Sequence, residues 1–307
     1  MLTIAYVTSR ADPKFEWFAA SLKRELSANA DMKLADIRVV IVDFWAMERA
    51  FEFDGLPVGF FNSFIHVTPK PTPWQGFFKQ TKENYFAQSN ARNTAICFAP
   101  DGYIAFVDDL SVLEQGWLKS VREAQTGEYI ACGAYRKVFK LNFSGTGSAS
   151  YVDNPAGHDP RWRSGSDYGT VPCNGNWMFG CSVAAPVQAF VEINGYPEAC
   201  DGMGYEDCIT GQVLQRRGYK FRYDRRMMTL ESEEDHHVGK PMRREDPGQS
   251  PNDKSHAMLE RYKYAQSFDN PFNLADMRRS ILCGGEFPVP ADGAVEWFTG
   301  KKLTELP

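Results

Sequence analysis

Three short polar clusters in this sequence carry side chains able to do chemistry: Asp108-Asp109, Glu206-Asp207 and His236-His237. Paired carboxylates supply hard oxygen ligands for a divalent cation, and a carboxylate can take the proton of a hydroxyl as its oxygen attacks. Asp108-Asp109 closes the apolar run that starts at Tyr103. Successive side chains of a strand point to opposite faces, so these two acids do not grip one ion equally. Their plainer use is to cap a following helix. Glu206-Asp207 opens a segment with Ile209, Val213 and Leu214 at helical spacing. Acids in a first helical turn complement the helix dipole, which lowers their basicity unless burial opposes it. Neutral imidazole suits manganese better than magnesium, so His236 is a candidate ligand, although paired histidines also occur on plain surface loops.

The frame that must position these residues alternates strand and helix. Leu2–Thr8, Ile37–Asp43, Tyr103–Asp108 and Tyr129–Tyr135 read as buried strands, and Phe15–Leu26, Ala87–Phe98 and Leu113–Glu123 as helices. Two further short strands, Tyr219–Tyr223 and Met227–Leu230, are expected before the histidines. This order predicts an α/β domain with a mostly parallel central sheet flanked by helices. Ligands of such sheets bind beyond the carboxyl ends of the strands, which selects Thr8, Ser9, Arg10, Asp43, Asp108 and Asp109. Gly55–Gly76 and Asn142–Tyr168 read as irregular, and the second is expected to close over a ligand as a lid. Charge and proline rise near Lys240, so residues 1–240 are expected to form the main domain, with halves at about 1–110 and 111–240. Residues 241–307 would form a helical extension packed on it.

Composition narrows the classes of partner. The 307 residues carry a net charge of −5, which weighs against a general binder of nucleic acid or anionic membrane. No apolar run reaches the ~18 residues of a membrane helix. Met1 leads straight into the first strand, and the seven cysteines are an odd number in a chain too long to need stapling. Reduced thiols and a cytoplasmic, soluble protein are therefore expected. Cys173/Cys181 and Cys200/Cys208 share a C-x7-C spacing, wider than zinc sites prefer. Aromatic residues make up 14% of the chain, enough to leave ring surface for a cleft as well as a core.

Five segments occur in a telling order: Asn90-Ala91-Arg92-Asn93, Asp101-Gly102-Tyr103 running on to Asp108-Asp109, Phe179-Gly180-Cys181-Ser182, Ile193-Asn194-Gly195-Tyr196, and Gly202-Met203-Gly204-Tyr205-Glu206-Asp207. Over residues 1–240 this set resembles the inverting glycosyltransferases of GT-A fold. The first two segments are similar to the nucleotide-sugar-binding half of the large family with an Asp-x-Asp-type motif. The last three are similar to a galactosyltransferase-type C-terminal half. The resemblance implies a Rossmann-like GT-A fold, a nucleotide-sugar donor (UDP-linked), Mn2+ or Mg2+, and transfer to an acceptor hydroxyl on a glycan or related molecule.

The same resemblance distributes roles. Asp109 and His236 would hold the metal, with His237 the alternative ligand, and Asp108 would meet the ribose or donor sugar. Thr8, Ser9, Arg10, Asp43 and Gly180 would line the nucleotide pocket, and Arg92 would pair with the diphosphate or fix Asp109. Asp207 would be the base and Glu206 would orient the acceptor, with Trp177, Tyr205 and Trp162 stacking on it. Leu110 stands where the family often has a third acid, Met203 where it has Trp, and Tyr205 where Gly is common. These departures keep open a non-catalytic nucleotide-sugar-binding module. A glycosyltransferase of modified DNA bases also stays open, nucleic acid entering only as acceptor and Arg216-Arg217, Arg225-Arg226 and Arg243-Arg244 forming its patch. A nucleotidyltransferase of the same fold needs a Gly-rich loop after its first strand, and the stretch from Thr8 to Pro13 is not one. The oligomeric state is not encoded in any of these signals.

Overall fold

The computed structural model describes residues 1–29, 36–50, 63–71, 87–201, 204–237 and 251–287; for Ser63, His236, His237 and residues 251–255 the description covers the backbone only. The strands are β1 (Leu2–Thr8), β2 (Ile37–Asp43), β3 (Ser63–Val67), β4 (Tyr103–Asp108), β5 (Ser111–Leu113), β6 (Ile130–Asn142), β7 (Ser150–Val152), β8 (Val171–Pro172), β9 (Ser182–Pro186) and β10 (Phe221–Ser232). The helices are α1 (Phe15–Ala28), α2 (Gln88–Phe98), α3 (Trp117–Gly127), α4 (Val187–Glu192), α5 (Glu206–Arg216), α6 (Glu233–His237), α7 (Pro251–Arg261) and α8 (Leu274–Leu282). Three expectations shift. A strand, β3, lies inside the stretch read as irregular. Ser111–Leu113 pairs with β10, so α3 starts only at Trp117. The two short strands read before the histidines are one strand, β10, with an irregularity between Asp224 and Thr229.

The sheet runs β3-β2-β1-β4-β9-β6-β10-β5. The first four strands are parallel, β9 runs antiparallel to β4, and β6 and β10 are parallel to each other. Every residue of β1 is buried, as a strand covered on both faces requires. Its side chains alternate between two cores: Ile4 and Tyr6 pack with α1 and α3 on one face, and Ala5 and Val7 with α2 and α5 on the other. The chain leaves β1 toward β2 on one side and returns as β4 on the other, so the crevice at their carboxyl ends is a topological switch point. Because β9 is antiparallel to β4 with Ser182 opposite Val107, the residues that enter β9 lie at that same end.

α2 is buried on nearly all sides although it carries Asn90, Arg92, Asn93 and Thr94. Buried polar groups need partners, and the amide nitrogens of Asn90 and Asn93 and the hydroxyl of Thr94 have them. Asn90 Nδ2 donates to the Lys70 carbonyl, Asn93 Nδ2 to Glu198 and the Tyr196 carbonyl, and Thr94 Oγ1 to the Asn90 carbonyl. Asp201, fully buried, accepts from the N–H groups of Ser89 and Asn90 and so caps the helix from a distant segment. Beyond α7 the chain returns to the core: Tyr262, Phe268, Leu274 and Ile281 are buried in the cluster that holds Phe190, Ile193 and Tyr196.

Candidate active site

A cavity of about 340 Å³ opens at the switch point. Among the described residues, Val7, Ser9 and Arg10 line it from β1, and Asp108 and Asp109 from β4. Gln88 and Arg92 reach it from α2, Phe179, Gly180 and Cys181 from the entry to β9, and Tyr135 and Lys137 from β6. Glu206 and Asp207 from α5 and Glu231 from β10 complete the wall. Both carboxylate pairs singled out in the sequence therefore meet in one cleft.

Backbone geometry places each pair. Leu110, the residue where a third acid is often found, is buried with φ +60°, and its N–H donates to the Pro13 carbonyl. A left-handed conformation is costly for a residue with a branched side chain, and here it turns the chain sharply so that Asp108 and Asp109 sit at the strand tip. Tyr205, just before Glu206, is likewise left-handed at φ +68° and starts α5. Ser111, the other polar residue after the pair, gives its hydroxyl to the Asp109 carbonyl.

Asp109 accepts from Thr8 Oγ1 at 2.8 Å and from Arg10 Nε at 3.1 Å. Thr8 itself is buried off the cleft, so it acts on the site through Asp109. Among the described residues, buried Ser9 Oγ has no hydrogen-bond partner. Asp108 Oδ1 accepts from Arg92 Nη2 at 3.2 Å and Gln88 Nε2 at 3.3 Å. Glu206 Oε1 accepts from Arg92 Nη1 at 2.9 Å. Arg92 thus binds Asp108 and Glu206, neither Asp109 nor an open diphosphate position. Asp207 Oδ2 accepts from the N–H of Gly180, which cannot be replaced in place because a Cβ there would land on Arg92 Nη2.

Burial pushes three of these acids up. Asp109 reaches about 6 against the pull of Arg10 and Thr8. Glu206 reaches about 7, helped by the charge of Asp207 and opposed by Arg92. Glu231 also reaches about 7, opposed by Lys137 and helped by Asp108 and Asp109. Perturbed acids gathered in one cleft are the pattern of a functional site.

Several expectations are corrected. Asp43 does not face the cleft: its carboxylate is taken by Arg49 (2.8 and 2.6 Å), His66 Nε2 (2.9 Å) and the N–H of Trp45 (2.9 Å). None of the rings expected to stack on an acceptor lines the cavity. Trp177 packs edge-on against Tyr223 at 5.5 Å, because the turn at Gly175–Trp177 lies against α5. Trp162 lies between the guanidinium groups of Arg225 and Arg136, at 4.8 and 5.6 Å. Tyr205 is half exposed. Among the described residues the rings that line it are Tyr135 and Phe179, 6.1 Å apart. The segment read as a lid is fastened: buried Arg161 pairs with buried Asp159, donates to the carbonyls of Trp177 and Gly133, and sits 4.0 Å over the Phe179 ring. Glu231, Gln88, Tyr135 and Lys137 had not been singled out. The side chains of His236 and His237, and residues Met203, Arg243 and Arg244, lie outside the described residues.

The donor set suits a hard divalent cation in an open site. Asp108, Asp109 and Glu231 offer carboxylate oxygens to the cavity, and burial, with a smaller contribution from the two aspartates, raises Glu231. Among the described residues no three such side chains already converge on one point, and both oxygens of Asp109 carry hydrogen bonds. Magnesium-like ions are commonly held by one or two carboxylates, with water and ligand phosphate completing the shell, and this arrangement fits that mode.

No family model matches the chain, and no curated protein matches it. Solved structures do. GalNAc-T7, crystallised with UDP, GalNAc and Mn2+, aligns over 86% of this chain and 50% of its own with a TM-score of 0.51 at 12% identity. The fold is GT-A. Residues 1–349 of TarS from S. aureus in complex with UDP align over 75% of this chain and 60% of that one, with a TM-score of 0.49 at 11% identity. The chain thus spans half to three-fifths of these GT-A structures. Among the described residues no helix is long and apolar enough to cross a membrane.

Proposed function

We propose that the protein is an inverting, metal-dependent glycosyltransferase that moves a sugar from a nucleotide sugar to an acceptor hydroxyl. The observation that carries this reading is the meeting of Asp108-Asp109 and Glu206-Asp207 across one cleft at the switch point of a GT-A fold. One pair serves the donor and the other the acceptor. UDP is the nucleotide to try first, given the ligand of GalNAc-T7.

In this reading Ser9 and Arg10 meet the nucleotide, Ser9 with a hydroxyl that has no partner among the described residues. A divalent cation held by Asp109, with Asp108 and Glu231 beside it, would supply Lewis-acid neutralisation of the departing diphosphate. Glu206 accepts a hydrogen bond from the acceptor, and Asp207 takes the proton of the attacking hydroxyl. The new bond forms at the anomeric carbon as its bond to the diphosphate oxygen breaks from the opposite face, so one displacement inverts the anomer. Tyr135 and Phe179 supply the apolar faces on which a sugar ring stacks. A glycan-type acceptor is favoured over DNA. Arg216 is committed to the carbonyls of Ala265 and Tyr262, Arg217 pairs with Glu192, Arg225 with Asp167, and Arg226 with Asp224 and Glu123.

A thermal-shift screen of UDP-, GDP-, dTDP- and CMP-sugars with and without manganese tests the reading, since a ligand bound only by the folded state raises the melting point. A manganese-dependent shift with one nucleotide class is expected. No shift with any of them would sink the donor assignment.

A further inference from the structure

Arg92 reaches the cleft from inside the fold. Its side chain is 1% exposed, yet its two terminal nitrogens bind carboxylates 16 and 114 residues away, Asp108 and Glu206. The Tyr196 ring lies 5.3 Å from its Cζ, and Gly180 closes on Nη2. Among the described residues Nε is buried without a partner, and the hydrogen bonds that orient the guanidinium come from the two carboxylates. Such buried charge networks are often no more stable than an apolar replacement, so stability is a poor account of this one. What a planar fork does supply is a fixed separation between its two acceptors, which the point charge of lysine does not.

We propose that Arg92 is a positioning residue that couples the two sides of the cleft. The inference rests on reading Asp108 as the donor side and Glu206 as the acceptor side. A ligand that draws on Asp108 loosens its hold on Nη2, and the guanidinium settles on Glu206. Filling the donor side thereby sets the position of the group that receives the acceptor.

The test is a double-mutant cycle on UDP affinity, measured by calorimetry with manganese. Glu206 does not touch the nucleotide in this reading, so an effect of Glu206→Gln that disappears when Arg92 is replaced travels through Arg92 rather than through space. An affinity change of about threefold or more is expected for Glu206→Gln in the wild-type background, and none in Arg92→Met. An equal change in both backgrounds, or no change in either, overturns the coupling. If Arg92→Met does not fold, Arg92→Lys replaces it in the cycle, because lysine keeps the charge without the planar fork. If the wild type binds no UDP, the donor reading fails, and the clamp is judged without nucleotide. The urea midpoints of Asp108→Asn, Glu206→Gln and the double variant are then expected to be non-additive, and additivity overturns it.

Discussion

The backbone N–H of Gly180 donates to Oδ2 of Asp207 at 2.9 Å, while the N–H of Cys208 donates to Oδ1 at 2.7 Å. Two fixed donors hold the carboxylate in one orientation at the start of α5. An asparagine there would turn its amide nitrogen toward one of those N–H groups and could no longer take a proton. Asp207→Asn is expected to lower transfer about 10³-fold while leaving UDP affinity within about twofold. Full activity in this variant rules out the assigned base.

The Thr8 hydroxyl meets Asp109 from behind, donating to it at 2.8 Å while accepting from the N–H of Arg10 at 3.1 Å. Groups that orient a metal-binding carboxylate usually change metal affinity about 10- to 100-fold when lost. Thr8→Val, close to isosteric, should therefore weaken manganese-dependent UDP binding about tenfold and leave manganese-independent binding unchanged. A uniform loss with and without manganese would place Thr8 in the nucleotide contact instead.

The raised acids make a prediction about pH. Asp109 titrates at about 6 rather than 3.8, and Glu206 and Glu231 at about 7 rather than 4.5. Between about pH 4 and 7 the native state thus binds more protons than the unfolded chain, so these groups stabilise the fold at low pH and lose that effect as pH rises. Glu231→Gln removes one of the three. It should melt like the wild type at pH 5 and about 3 °C higher at pH 8. An unchanged slope of melting temperature against pH would show that Glu231 is ordinary.

Arg161 and Asp159 nail the 142–168 segment to the wall of the cleft, with side chains 5% and 0% exposed. Removing one partner of a buried pair costs about 3–5 kcal/mol because the other charge is stranded. Arg161→Met should lose stability on that scale, and Asp159→Asn added to it should recover part of the loss. A double variant less stable than the single would contradict this account.

The alternation of apolar runs made the N-terminal half of the fold legible, and the two acid pairs stood out because each sits at the edge of such a run. Other parts depended on register and on distant partners. Whether Glu231 or Ser232 faces the cleft is decided by how β10 pairs with β6, and that pairing shifts between Asp224 and Thr229. Asp43 lies at a strand end like Asp109, but Arg49 and His66 reach it first. Aromatic type alone did not separate Trp177, turned toward Tyr223, from Phe179, turned to the cavity. Arg92 was visible as a candidate, while its two partners depend on how β4 and α5 meet.

The C-terminal segment has a practical consequence for anyone shortening the protein. Asn270 exchanges hydrogen bonds with Asn194, Tyr196 and Glu198, and Asn194 ties down Phe268, Phe272 and Leu274. Cutting at the change of composition near residue 240 would strip a lining from Phe190 and Tyr196 and orphan this amide lattice. The Tyr196 ring is the same one that flanks Arg92. A trimmed chain that runs through Leu282 should express and bind nucleotide, whereas one ended at 240 should aggregate before its cleft can be assayed.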